Sequence, residues 1–116
     1  KDMDKDARYL GLASRICVEI GAHMIKTYYC KNFKEVVEAC GNVPVVIAGG
    51  KKQPEKDALQ MAYNAIQDGA SGVDMGRNIF QSDNPIGMIK AVRAIVHDGM
   101  SVDDAFKIYE ESKNKQ

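Results

Sequence analysis

Lys26 stands at the end of a short apolar run, Ala22-His23-Met24-Ile25-Lys26-Thr27-Tyr28-Tyr29, that is rich in strand-forming residues. On a strand, Ala22, Met24 and Lys26 share one face by the period-two rule. A lysine drawn into a partly desolvated mouth is disfavoured as a cation. Its neutral amine adds to ketones and aldehydes and forms a Schiff base, and the protonated imine then draws electrons out of the neighbouring carbon–carbon bond. The plainer reading is a strand-end lysine whose stem packs while its head reaches water. Two more apolar runs end in glycine: Val43-Pro44-Val45-Val46-Ile47-Ala48 in Gly49-Gly50, and Ser71-Gly72-Val73-Asp74-Met75 in Gly76-Arg77. Glycine lets backbone N–H groups approach an anion with no β-carbon in the way. Arg77 can add charge-assisted hydrogen bonds to a phosphate, and a helical turn over 78–81 would aim its N-terminus at the same point. Read without a ligand, the glycines are tight turns and Arg77 is surface charge.

Four further residues are candidates at these strand ends. Lys51 and Lys52 follow Gly49-Gly50 and are within reach of a phosphate. Asp74 has the strand parity of Gly72 and Gly76 and is placed to pair with Lys26 or Arg77. Tyr28 sits beside the lysine and could move a proton, although aromatic packing explains it as well. His23 has the opposite parity to Lys26 and is expected to face a helix layer. His97 is expected near a helix C-terminus, where an imidazolium complements the dipole. No metal-ligand spacing occurs among the three cysteines, Cys17, Cys30 and Cys40, and no metal site is expected.

The elements that must position these groups alternate. A helix is predicted over 5–20, with Ala7, Leu10, Ser14, Cys17 and Gly21 on one face and Asp2 or Asp4 as its cap. Asn32-Phe33-Lys34-Glu35 has the form of a capping box, so a helix is predicted over 33–40 with Phe33, Val36, Val37 and Cys40 inward. Pro54, at a first helical position, opens a helix carrying Ala58, Met61, Ala62, Ala65 and Ile66. Asn84-Pro85 opens another, running to about His97 with Ile89, Val92 and Ile95 inward. Ser101-Val102-Asp103-Asp104 caps a last helix docked by Val102, Ala105, Phe106 and Tyr109. The tail 113–116 is expected to fray.

The order is α-β-α-β-α-β-α-α, a series of βαβ units and therefore a parallel sheet. In such folds function gathers at the carboxyl ends of the strands, which is where Lys26, Gly49-Gly50 and Gly76-Arg77 fall. Three parallel strands are few for a free-standing sheet, while eight close a barrel of about 250 residues. The whole stretch 1–116 is therefore read as one α/β unit, the C-terminal half of a (β/α)8 TIM barrel with about its last three strands. A flavodoxin-like domain would need more strands.

Three blocks also carry a resemblance: Gly21-Ala22-His23-Met24-Ile25-Lys26-Thr27-Tyr28-Tyr29, Val46-Ile47-Ala48-Gly49-Gly50-Lys51-Lys52 and Gly72-Val73-Asp74-Met75-Gly76-Arg77-Asn78-Ile79-Phe80-Gln81. Together they resemble the archaeal-type class I aldolase family, which groups deoxyribose-phosphate aldolase, archaeal fructose-bisphosphate aldolase and a thiolase of quorum-signal (autoinducer-2) breakdown. The resemblance implies that Lys26 is a Schiff-base lysine on a sixth barrel strand and that Gly49, Gly50, Gly76 and Arg77 hold a substrate phosphate. It implies no organic cofactor. In the thiolase branch, which Gly-Gly-Lys-Lys resembles more than it does the fructose-bisphosphate aldolases, coenzyme A would accept an acetyl group as co-substrate. Acid–base residues that the family places on earlier strands are not in this stretch. The expectations are cleavage of a small phosphorylated ketone by acetyl transfer to coenzyme A, the fructose-bisphosphate aldolase reaction as an alternative, or a half-barrel without activity of its own.

Composition narrows the partners. The 116 residues are 45% hydrophobic and 28% charged, a globular balance, and 16 basic residues offset 16 acidic ones. Neither nucleic acid nor an anionic membrane is favoured by such a charge, and no apolar run approaches the roughly 20 residues of a membrane helix. The opening Lys1-Asp2-Met3-Asp4-Lys5-Asp6 is too charged for a signal peptide and has no initiator Met. The chain is therefore expected to be cytoplasmic, with reduced thiols, and to derive from a longer protein. Exposed strand edges predict homo-oligomers or association with a missing half-barrel.

Overall fold

The computed structural model describes residues 3–114. After a 3-10 turn (Met3–Lys5) come α1 (Ala7–Glu19), β1 (Ile25–Tyr28), α2 (Phe33–Ala39), β2 (Val45–Ala48), α3 (Glu55–Gln67), β3 (Gly72–Asp74), a short α4 (Arg77–Phe80), α5 (Pro85–Asp98) and α6 (Val102–Asn114). The three strands form one parallel sheet in sequential order, with Lys26, Val46 and Gly72 in one row and Tyr28, Ala48 and Asp74 in the next toward the carboxyl ends.

The rows between them, Ile25 with Val45 and Thr27 with Ile47 and Val73, point to the helices. Ile25, Val45 and Ile47 are buried there with Phe33, Val36 and Ala65. A second core joins α3, α5 and α6 through Leu59, Met88, Ile95, Ala105 and Tyr109, and Met61, Ile66 and Val73 pack against both. Each large side chain buried in this way contributes about 1.5–3 kcal/mol. The opposite sheet face is open: Lys26, Tyr28 and Asp74 are exposed and Val46 and Ala48 half-buried. The continuous apolar run of β2 predicted burial on both faces, and only the helix side supplies it.

Several local expectations change. α1 is capped by Asp6, whose Oδ1 accepts the Arg8 N–H at 2.9 Å; Asp2 and the Asp4 side chain lie outside the described residues. Its buried positions are Gly11 and Ser14, and Cys17 is exposed. Asn32 does not cap α2 with its side chain. It takes a left-handed φ of 61° and its carbonyl accepts the Glu35 N–H instead. Pro54 is the N-cap of α3 and not its first helical residue. Ile89 is 52% exposed, and Met88 and Ala91 take the inward positions beside Val92 and Ile95. β1 begins only at Ile25, so His23 precedes it and is exposed, without facing the helix layer. His97 lies exposed in the last turn of α5, Ser101 Oγ accepts the Asp104 N–H at 3.2 Å, and α6 continues to Asn114. Lys115 and Gln116 lie outside the described residues. Among those described, no helix is long and apolar enough to cross a membrane.

Candidate active site

A cleft of about 360 Å³ opens at the carboxyl ends of the strands on the open sheet face. Lys26, Tyr28, Gly49, Gly50, Asp74, Gly76 and Arg77 all line it, with Ala48 as its floor and Phe80 on its rim. The sheet register explains the gathering. Lys26 and Asp74 project to one face from the two outer strands, offset by one side-chain row. A lysine stem is long enough to cross the small Ala48, and the Lys26 Nζ–Asp74 Oδ2 distance is 3.0 Å.

With the sheet face open along these three strands, the amine meets solvent as well as Asp74. The Lys26 side chain is 52% exposed and its neighbour is a carboxylate. An ammonium in contact with a carboxylate has a partner to take its proton before it attacks a carbonyl and to return one to a leaving hydroxyl. The cleft therefore sets an amine and a carboxylate side by side.

The glycine turns are unequal. The Gly49 N–H is already used, donating to the Asp74 carbonyl at 3.2 Å. A β-carbon there would lie 2.9 Å from both Cα and Cβ of Met75. Gly49 thus lets β2 and β3 close up at their ends and offers no donor to an anion. Gly49→Ala is expected to lower stability by about 1–3 kcal/mol, because the obstructing atoms include backbone; an unchanged urea midpoint would contradict that packing argument. Gly50 has φ +72° with open space around it, so its requirement is conformational. The Gly50 and Gly76 N–H groups have no hydrogen-bond acceptor among the described residues. Gly76 has an ordinary φ of −67°, and a β-carbon would only touch Phe80 at 3.7 Å. The fold itself has room for alanine there.

Lys51 and Lys52 are not brought into this cleft. They line an adjoining one of about 360 Å³ with Lys5, Tyr29 and Met61, and the two clefts share Tyr28, Ala48, Gly49 and Gly50. Lys52 is held there, donating to the Gln53 carbonyl at 2.7 Å and pairing with Glu55 at 3.3 Å.

Two polar groups behind the cleft escaped the sequence reading. Asn78 is buried on α4 and bonds to both ends of the Gly49–Gln53 loop. Its signal was a polar residue in the middle of a helical turn, which periodicity cannot distinguish from a solvated one. Glu55, an acid in the first turn of α3, accepts the Ser82 hydroxyl at 2.9 Å, the Asp83 N–H at 3.3 Å and the Tyr109 hydroxyl at 3.3 Å. Burial acts to raise its pKa. Hydrogen bonds from the Ser82 hydroxyl, the Glu55 and Asp83 backbone N–H groups and Lys52 outweigh this and hold it down at about 2.

A larger groove of about 430 Å³ runs beside β3, lined by Val73, Ile79, Ile89, Val92 and Val96 with Arg93 and His97. Its walls are mostly apolar, and it follows the outer edge of the sheet, so it has the character of an unfilled packing position.

Residues 1–82 match the family described as DeoC/LacD family aldolase. The chain is 57% identical over 114 residues to an uncharacterized aldolase of Pasteurella multocida, covering 97% of this chain and 39% of that protein. It is 58% identical over 110 residues to the 3-hydroxy-5-phosphonooxypentane-2,4-dione thiolase of Escherichia coli O139:H28, covering 94% of this chain and 38% of that one. A solved archaeal fructose-1,6-bisphosphate aldolase, with its catalytic Lys covalently bound to the carbinolamine intermediate of the substrate, superposes with a TM-score of 0.76. That match has 30% identity and covers 79% of this chain and 38% of the other. The chain thus spans about two fifths of the length of these relatives, and its three parallel strands and their helices are part of a TIM barrel.

Proposed function

Because the chain belongs to the DeoC/LacD family of aldolases, we propose that it carries the imine-forming lysine and the phosphate grip of a class I carbon–carbon-cleaving enzyme. Its substrate would be a small phosphorylated ketone, and its strands the last three of the barrel. The observation that carries this reading is the single cleft holding the Lys26–Asp74 pair beside Gly50, Gly76 and Arg77.

In this reading Lys26 Nζ adds to the substrate carbonyl as its proton passes to Asp74. The carbinolamine then loses its hydroxyl as water, taking a proton back, and leaves an iminium. The electron pair of the adjacent carbon–carbon bond flows into that iminium as the bond breaks, while the departing carbon becomes a carbonyl as its hydroxyl gives up a proton or, where it is already a carbonyl, is taken by an acyl acceptor. The resulting enamine is protonated on carbon, and water hydrolyses the imine to release product and free the amine. The iminium formed on Lys26 is the electron sink, so the step calls on neither metal nor organic cofactor. Gly50, Gly76 and Arg77 hold the phosphate and so choose which carbonyl meets Lys26, with Gly49 keeping the two turns close. Fixing the reacting groups in this way lowers the barrier by several kcal/mol. Tyr28 borders the same space and is the second group placed to move a proton.

The relatives named as thiolases favour 3-hydroxy-5-phosphonooxypentane-2,4-dione as the substrate. With its phosphate end gripped, the imine forms at C4 and the C2–C3 bond breaks. The acetyl group passes to the sulfur of coenzyme A, whose thiol gives up its proton, and a three-carbon phosphorylated ketone remains. The superposition on a fructose-1,6-bisphosphate aldolase supports a second reading, aldol cleavage without coenzyme A. Assaying both substrates with and without coenzyme A separates them: acetyl-coenzyme A appears only in the first. If neither substrate leaves a borohydride-reducible adduct on the chain, the non-catalytic half-barrel reading stands instead.

Arg77→Ala is expected to weaken binding of the phosphorylated ketone about tenfold to a hundredfold, the usual worth of a charge-assisted hydrogen bond of about 1.5–3 kcal/mol. A phosphate-free ketone should be unaffected. Equal losses for both would remove Arg77 from the grip.

The same reading places the protein in the cytoplasm, supported by three free cysteines. It also gives the open sheet face and the apolar groove beside β3 a partner, either a second copy or the remaining strands of a barrel. Zero net charge supports no nucleic acid or membrane partner.

A further inference from the structure

We infer that Asn78 is a positioning residue that sets the spacing between the two turns of the cleft, an inference that rests on the phosphate grip proposed above. Asn78 is 1% exposed, on the inner side of α4 next to Arg77. Its Nδ2 donates to the Gly49 carbonyl at 3.1 Å, and its Oδ1 accepts the Gln53 N–H at 2.9 Å.

One side chain therefore closes both ends of the loop that carries Gly50. The loop has little else to fix it: Gly50 has a positive φ and nothing within 4 Å of its would-be β-carbon. At the start of the loop, Gly49 is pressed against Met75 and its N–H is bound to the Asp74 carbonyl. At the far end Lys52 pairs with Glu55 and donates to the Gln53 carbonyl, and the Gln53 side chain meets Met61, but none of these contacts ties the loop to α4. The Asn78 amide thus couples the Gly50 N–H to Arg77, one residue before it in α4. Only an uncharged amide of this length both donates to one backbone group and accepts from the other. Leucine matches its bulk and makes neither bond, leaving the half-buried Gly49 carbonyl and Gln53 N–H without this partner. The two turns then lose their fixed separation, and a phosphate bridging them meets each alone.

The test is a titration of the unmodified 116-residue chain with inorganic phosphate, followed through the backbone amide NMR signals of Gly50 and Arg77. Both signals are expected to report one common dissociation constant. In Asn78→Leu the Gly50 and Arg77 signals are expected to follow different constants, the Gly50 one weakened about tenfold or more. A general loss of stability at a temperature well below unfolding would not split them. A single unchanged constant in the variant overturns the inference. Two separate constants in the unmodified chain also overturn it but leave a phosphate site standing. If the unmodified chain shows no phosphate response, the proposed grip falls and the positioning role with it. Should Asn78→Leu fail to fold, hydrogen exchange of the unmodified chain decides. The Gln53 N–H and the Asn78 side-chain amide are expected to exchange slowly and to slow further with phosphate, and fast exchange of either overturns the inference.

Discussion

Lys26→Met is expected to erase the adduct that borohydride traps when the chain is mixed with a phosphorylated ketone, while the fold survives. Lys26 carries the only primary amine lining the cleft among the described residues, since Lys51 and Lys52 lie on the neighbouring one. Arg77 keeps its charge at any ordinary pH and does not add to carbonyls. Methionine keeps an unbranched stem over Ala48 and removes the nitrogen. The loss in stability should stay below about 1 kcal/mol, because the Lys26–Asp74 pair is more than half exposed on both sides and such pairs contribute little. Intact mass, then mass of the peptide carrying residue 26, reads the result. An adduct that persists in the variant, or one found on a different lysine of the unmodified chain, would remove Lys26 from the chemistry. A variant that unfolds would show that the open sheet face depends on the ion pair far more than its exposure suggests.

The second large effect lies behind the cleft. Glu55 gathers the start of α3, the turn at Ser82 and Asp83, Tyr109 of α6 and Lys52, and its side chain is only 17% exposed. Its pKa falls from an ordinary 4.5 to about 2 in the folded chain. A depressed carboxyl stabilises the fold fully above its unfolded pKa and loses that contribution as pH drops through its folded one. The window is therefore roughly pH 5 down to 2, and the contribution is about 3 kcal/mol at neutral pH. Glu55→Gln keeps the shape and an acceptor oxygen but has no proton to bind. The unmodified chain should be the more stable of the two by about that amount at pH 7, with the gap closing as pH approaches 2. Urea unfolding of both chains across this range measures it. A gap that stays constant with pH would assign the Glu55 network to packing and not to charge.

Much of this protein was legible in its residues because the relevant signals are local. The period-two and helical spacings, the Gly-Gly and Gly-Arg turns and the Ser101 cap named, among the described residues, the eight helices and strands other than the short α4, which was expected one residue late. The alternation of helix and strand was enough to require a parallel sheet. Strand parity grouped Lys26 with Met24 and Asp74 with Gly72, each within its own strand, and left Asp74 to pair with either Lys26 or Arg77.

What tertiary structure alone decided were relations between distant segments. The register of β1, β2 and β3 brought Lys26 to within 3.0 Å of Asp74, so the amine has a carboxylate for company that no spacing within one strand could show. Gly49 proved to be glycine for its contact with Met75, and its N–H was already taken. Ile89 turned outward and Met88 inward because the rotation of α5 is set by α3 and α6, not by its own pattern. Asn78 and Glu55 looked like ordinary polar residues because a side chain's hydrogen-bond partners 25 to 54 residues away leave no mark on its immediate neighbours. Periodicity carries the direction a side chain leaves its own element. The atoms it meets there depend on how the elements pack, which only the folded chain specifies.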